Sequence, residues 1–75
     1  MYIQVKFYAT LARYQPENSQ AYPVEQGETP ESLLHKLGVE SNEVKVCFVN
    51  SKHADLQTEL QNGDKVAFFP AVGGG

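Results

Sequence analysis

The stretch NGDKVAFFPAVGGG, residues 62–75, decides how this chain is read. Asn62-Gly63 is a turn signal, because glycine takes a positive φ at no steric cost. Lys65 to Phe69 then read as a strand that Pro70 terminates, followed by Ala71, Val72 and the glycines Gly73, Gly74 and Gly75. A strand that delivers the chain into three glycines places an unobstructed segment at the edge of a folded body.

Outward from that strand the rest of the chain falls into short elements. IQVKFYA alternates Ile3, Val5 and Phe7 against Gln4, Lys6 and Tyr8, the period of a half-buried strand. QAYPV is a shorter strand, and Pro23 cannot donate to a ladder, which assigns it to a sheet edge. Thr29-Pro30 reads as N-cap and first helical position, with Glu28 and Glu31 near the positive end of the helix dipole. Leu33, Leu34 and Leu37 share one face and Gly38 follows as a stop, so the helix has about two to three turns. VKVCFVN and KVAFF are two more strands, with Leu56 and Leu60 plugging the loop between them. The order is β-β-α-β-β, with room for one more short strand between His53 and Leu56.

Size and charge bound the function. At 75 residues and 8.3 kDa the chain is one domain whose core must hold without staples, since it has a single cysteine. His35, His53 and Cys47 have no metal-ligand spacing. Six Lys plus Arg against nine Asp plus Glu give a net charge of −3, and no basic stripe exists to neutralise nucleic-acid phosphates. No run is long enough to cross a bilayer and no leader pattern opens the chain, so a soluble cytoplasmic protein is expected.

One apolar helix covers one face of a sheet and leaves the other open. If Ile3, Val5, Phe7, Val44, Val46, Phe48, Val66 and Phe68 face the helix, then Lys6, Tyr8, Lys45, Cys47, Val49, Ala67 and Phe69 face outward. Tyr8 and Phe69 would form one exposed aromatic patch if the first and last strands are neighbours, and such patches mark partner sites. Cys47 is mid-strand, packed or on the open face, with nothing nearby to lower its pKa. Asp64 beside Gly63 belongs to a turn, and His35 reads as a surface residue.

NGDKVAFFPAVGGG resembles the C-terminal stretch of the MoaD/ThiS-like sulfur-carrier family, most closely the small subunit of molybdopterin synthase, in which a Gly-Asp turn leads a Phe-Phe-Pro strand into a terminal diglycine. VKFYATLAR is similar to the family's opening strand and helix start, GETPESLLHKL to its helix and VCFVN to its third strand. The segment between Arg13 and Tyr22 is short, so the early helix is expected to shrink to a turn around Gln15-Pro16. The resemblance implies an α+β, β-grasp (ubiquitin-like) fold: a mixed four- to five-stranded sheet with one main helix on one face and the first and last strands side by side at its centre. Residues 1–70 would form this domain and residues 71–75 a flexible tail.

The resemblance also implies a chemistry, and that chemistry accounts for the glycines. The Gly75 carboxylate would be adenylated, at the expense of ATP, by a ubiquitin-activating-type adenylyltransferase of the MoeB/ThiF kind, and then converted to a thiocarboxylate. Ala71, Val72, Gly73 and Gly74 would thread into the partner, whose channel, where it is narrow enough to exclude water, admits a chain only at glycines, which have no β-carbon. Acceptors would be the large subunit of molybdopterin synthase or another sulfur-accepting enzyme. The chain itself would bind no cofactor, act as a co-substrate with no catalytic side chain of its own, and be monomeric when free. Related readings are a carrier for the thiamine thiazole or a ubiquitin-like protein modifier. Ordering a tail of about six residues costs on the order of 6–12 kcal/mol, so docking of Tyr8, Val49, His53 and Phe69 is expected to supply much of the affinity, with Pro70 stiffening the exit.

Overall fold

Alternation in the opening strand is realised in the computed structural model, which describes residues 1–70: β1 (Tyr2–Phe7) buries Ile3, Val5 and Phe7 and exposes Tyr2, Gln4 and Lys6. Ala71 to Gly75, and with them the expected flexible tail, lie outside the described residues. After β1 the chain does not shrink to a turn at Gln15-Pro16. It forms a 3₁₀ helix, Ala9–Tyr14, and a second 3₁₀ turn, Ser19–Ala21. A three-residue period explains the first of these, since it sets Leu11 and Tyr14 on one face. Leu11 is buried in the core and the Tyr14 ring packs 6.3 Å from that of Phe7.

The helix α1 (Pro30–Lys36) begins and ends where its capping residues dictate. Thr29 Oγ1 accepts from the Ser32 amide at 3.2 Å, and Ser32 Oγ accepts from the Thr29 amide at 2.9 Å, so two orphan donors are satisfied reciprocally. Gly38, at φ +78°, turns the chain out of the helix. Glu28, just before the helix, is buried, and Lys36 Nζ donates to it at 2.8 Å. Burial pushes its carboxyl up, but hydrogen bonds from Lys36, Ser32 and the Glu25 amide outweigh that and hold it below its ordinary value.

Three more strands complete the sheet: β3 (Val44–Val49), β4 (Lys52–Ala54) and β5 (Lys65–Pro70), with β2 (Tyr22–Pro23) at the edge that Pro23 anticipates. The order is β2-β1-β5-β3-β4, with β1 parallel to β5 and the other pairs antiparallel. The first and last strands are therefore neighbours, as a β-grasp requires. The core fills the space between one face of the sheet and α1, where Leu33, Leu34 and Leu60 are buried with Phe7, Val66 and Phe68. Leu56 packs against it from the loop.

The alternation assigned to β3 needs correction. Val44 packs toward the core as expected, but Cys47 is buried opposite Phe68 and Val49 packs inward opposite Val66, while Val46 and Phe48 take the open face. The cause is a register irregularity between Val44 and Val46, which inserts one residue and reverses the faces of everything after it. Asn50 and Ser51, both at positive φ, then close a two-residue hairpin into β4. Asn50 Nδ2 donates to Asp64 Oδ1 at 2.9 Å, and the Gln61 amide donates to Asp64 Oδ2 at 2.8 Å, so Asp64 does the work of a turn residue.

The outer edge of β1 is closed by a side chain. Strand β2 covers only Tyr2 and Ile3. Beyond them, the Phe7 amide donates to Gln15 Oε1 at 2.7 Å and Gln15 Nε2 donates to the Val5 carbonyl at 2.8 Å. One amide side chain thus replaces a missing segment of strand.

Candidate docking face and exit site

The open face is organised by where β1 stops. The Tyr8 amide still donates to the Phe68 carbonyl at 3.1 Å, which extends the pairing with β5 by one residue and sets Tyr8 beside Phe69. Ala9, at φ +54°, then bends the chain away into the 3₁₀ helix. The rings of Tyr8 and Phe69 stack at 4.4 Å with 5° between their planes. Phe48 meets Phe69 edge-on at 5.6 Å, and His53 meets Phe48 edge-on at 5.8 Å. Offset and edge-to-face contacts of this kind hold rings in fixed relation.

The result is a row of four rings, Tyr8, Phe69, Phe48 and His53, running across four strands or their ends. Tyr8, Phe69 and Phe48 border a concavity of about 600 Å³. Tyr8 is 38% exposed, Phe69 and Phe48 are half-buried and His53 is exposed. Pro70 follows Phe69 directly and is the last described residue.

Of the residues singled out by sequence, Tyr8, His53 and Phe69 converge on this face, while Pro70 follows Phe69 in the chain and pairs with Val44 on the alternate face. Val49 does not, for the register reason given above. Phe48 was missed and sits at the centre of the row. A signal for it existed in Cys47: cysteine is among the most often buried residue types, and placing it inward turns Phe48 outward. The Cys47 thiol is pushed up to about 11 by burial, which removes it as a nucleophile. Among the described residues no cluster of His, Cys, Asp and Glu could hold a metal, and no helix is long and apolar enough to cross a membrane.

The profile of the ThiS family matches residues 5–75. The chain belongs to the ThiS family. This is a family of small ubiquitin-fold sulfur carriers, related to MoaD, that pair with an activating enzyme and an acceptor subunit. Among solved structures it is similar to SAMP1 of Haloferax volcanii at 24% identity and a TM-score of 0.73, each chain covered in full. It is also similar to the HVO 2177 protein of Haloferax volcanii at 26% identity, TM-score 0.77, with 100% of this chain and 87% of the other covered. A putative molybdopterin converting factor, subunit 1, from Pyrococcus furiosus shares the fold at 18% identity and TM-score 0.72, with 96% and 99% covered. No curated protein matches the sequence closely.

Proposed function

We propose that this ThiS-family protein carries sulfur on its C-terminal glycine for the assembly of molybdopterin. The observation that carries the proposal is the family match that runs through Gly75, on a fold whose central strand ends beside an exposed aromatic row. In the proposed cycle a Gly75 carboxylate oxygen attacks the α-phosphorus of ATP in the activating enzyme, releasing pyrophosphate and forming an acyl-adenylate. The terminal sulfur of a persulfide displaces AMP, and a thiol cleaves the resulting S–S bond, leaving the thiocarboxylate. The protein contributes presentation rather than acid, base or nucleophilic catalysis. The aromatic row gives the partner a rigid surface to hold while the terminal residues enter its active site. Choice of the molybdopterin pathway rests on GDKVAFFP, which resembles the small subunit of molybdopterin synthase.

Mass spectrometry tests the reading. After incubation with ATP, a sulfide source and the activating enzyme of the same genome, one oxygen of Gly75 should be replaced by sulfur. Gly74→Ala, or deletion of Gly75, should abolish that product without unfolding the domain. An unchanged mass in the wild type refutes the carrier reading. Sulfur transfer to a thiazole precursor instead of the molybdopterin precursor would reassign the pathway, and isopeptide-linked conjugates in cells would identify a protein modifier.

A further inference from the structure

Charge is segregated between the sheet and everything else. The five strands contain Lys6, Lys45, Lys52 and Lys65 and not one Asp or Glu, a charge of +4. Outside the strands Arg13 and Lys36 stand against all nine carboxylates, a charge of −7. A protein that is acidic overall thus presents a basic sheet.

Two of these lysines matter most. Lys6 and Lys65 border the aromatic concavity together with Tyr8, Phe48, Ala67 and Phe69, and among the described residues no carboxylate lines it. Lys6 Nζ lies 5.7 Å from the centroid of the Tyr8 ring. Lysine on a strand is often a guard against edge-to-edge aggregation. That role fits Lys52 on the edge strand β4, whereas Lys65 lies on β5, inside the sheet, and Gln15 already closes the edge of β1 beside Lys6. Lys6 and Lys65 are both exposed on the open face, and among the described residues neither forms an ion pair.

We propose that the aromatic row docks onto a protein surface that is apolar at its centre and acidic at its rim, the lysines steering the encounter. The inference rests on the carrier reading, whose activating enzyme is the partner to be tested, and adds the chemistry of that partner's surface. A second copy face to face is disfavoured because the lysines would oppose one another. A bilayer is disfavoured because the site is concave.

The test follows association of the full chain with the activating enzyme of its genome by stopped flow, at about 30 mM and about 300 mM salt, where the Debye length differs roughly threefold. Lys6→Gln combined with Lys65→Gln should slow association about 10-fold at low salt, with little change in dissociation, and the gap should close at high salt. Zero-length carbodiimide cross-linking should join Lys6 or Lys65 to Asp or Glu of the enzyme. Rates independent of salt, or variants that associate like wild type, overturn the inference. Salt-dispersed oligomers of the chain alone, or sedimentation with phosphatidylserine vesicles, overturn it in favour of a second copy or a membrane. Salt-steered binding with no adenylation upholds this inference and sinks the carrier reading. Adenylation indifferent to the lysines does the reverse, and absence of any binding removes both.

Discussion

Gln15→Ala should unfold this protein more easily by about 1–2 kcal/mol, an effect that no apolar contact accounts for. The side chain makes two hydrogen bonds to β1, at 2.7 Å from the Phe7 amide and 2.8 Å to the Val5 carbonyl. Each is worth about 0.5–1.5 kcal/mol net. Freeing the glutamine returns up to about 2 kcal/mol of rotamer entropy on the unfavourable side of that balance. Against this, a donor and an acceptor are left at a half-buried edge that water reaches only in part, and an unpaired buried group costs about 1–3 kcal/mol. The middle of the range follows, and in a domain of this size it lowers the Tm by about 5–15 °C.

Urea unfolding measures the loss, and amide exchange locates it. The Phe7 amide should lose protection in Gln15→Ala while the Tyr8 amide, which donates to the Phe68 carbonyl on the other side of the strand, keeps its own relative to global unfolding. Gln15→Glu should fall between the two, since a carboxylate still accepts from Phe7 but repels the Val5 carbonyl. A Gln15→Ala midpoint indistinguishable from wild type, with Phe7 still protected, would refute the claim that this side chain stands in for a strand.

Four further outcomes follow from the same geometry. Glu28 has its pKa lowered in the folded state, so its contribution to stability is present above its ordinary value of 4.5 and is lost as the pH falls through the lower folded value; acid titration followed by circular dichroism should show Glu28→Gln with a shallower loss of stability below that pH. Ala9→Gly should raise stability by about 0.5–1 kcal/mol in thermal melts, because φ +54° strains an alanine more than glycine's extra unfolded-state freedom costs. Cys47, with its thiol pushed up to about 11, should react with a disulfide reagent at pH 8 only as fast as the domain opens, and a burst of labelling in the native state would contradict its burial. Phe69→Asp removes the ring that touches both Tyr8 and Phe48, and should weaken binding to the activating enzyme by at least about 30-fold in calorimetry while the far-ultraviolet spectrum stays native.

What the sequence reveals about this fold depends on whether the deciding interaction is local. Ile3-Val5-Phe7 alternates strictly, Thr29-Pro30 and Gly38 bracket the helix, and Asn62-Gly63 fixes the turn into β5, so each of these is readable within a few residues. The face of β3 is not, because Val44, Val46, Cys47, Phe48 and Val49 are all apolar and a single irregularity decides which of them are buried. Gln15 closes an edge eight and ten residues away, a pairing for which composition carries no signal. Three of the four rings in the aromatic row were legible, Tyr8 and Phe69 from alternation on regular strands and His53 from the family resemblance, whereas Phe48 depends on the bulge.

The position of β5 connects this fold to its proposed work. A chain end that is to be pulled into another protein's active site and withdrawn again loads whichever strand it leaves from. Had it left from β4, the load would fall on an edge strand of three residues held by one neighbour. It leaves from β5, which β1 flanks in parallel and β3 flanks antiparallel, with pairing to β3 reaching Pro70 itself. Hydrogen bonds lying across a strand on both sides must all shear together if it slides, whereas an edge strand peels one bond at a time. The same arrangement requires β1 to cross sixty residues of sequence to find β5, a closure that slows folding but leaves the exit strand the least able to move. The stacked Tyr8 and Phe69 rings sit where that strand ends, so the surface offered to a partner and the anchor of the chain end are one rigid piece.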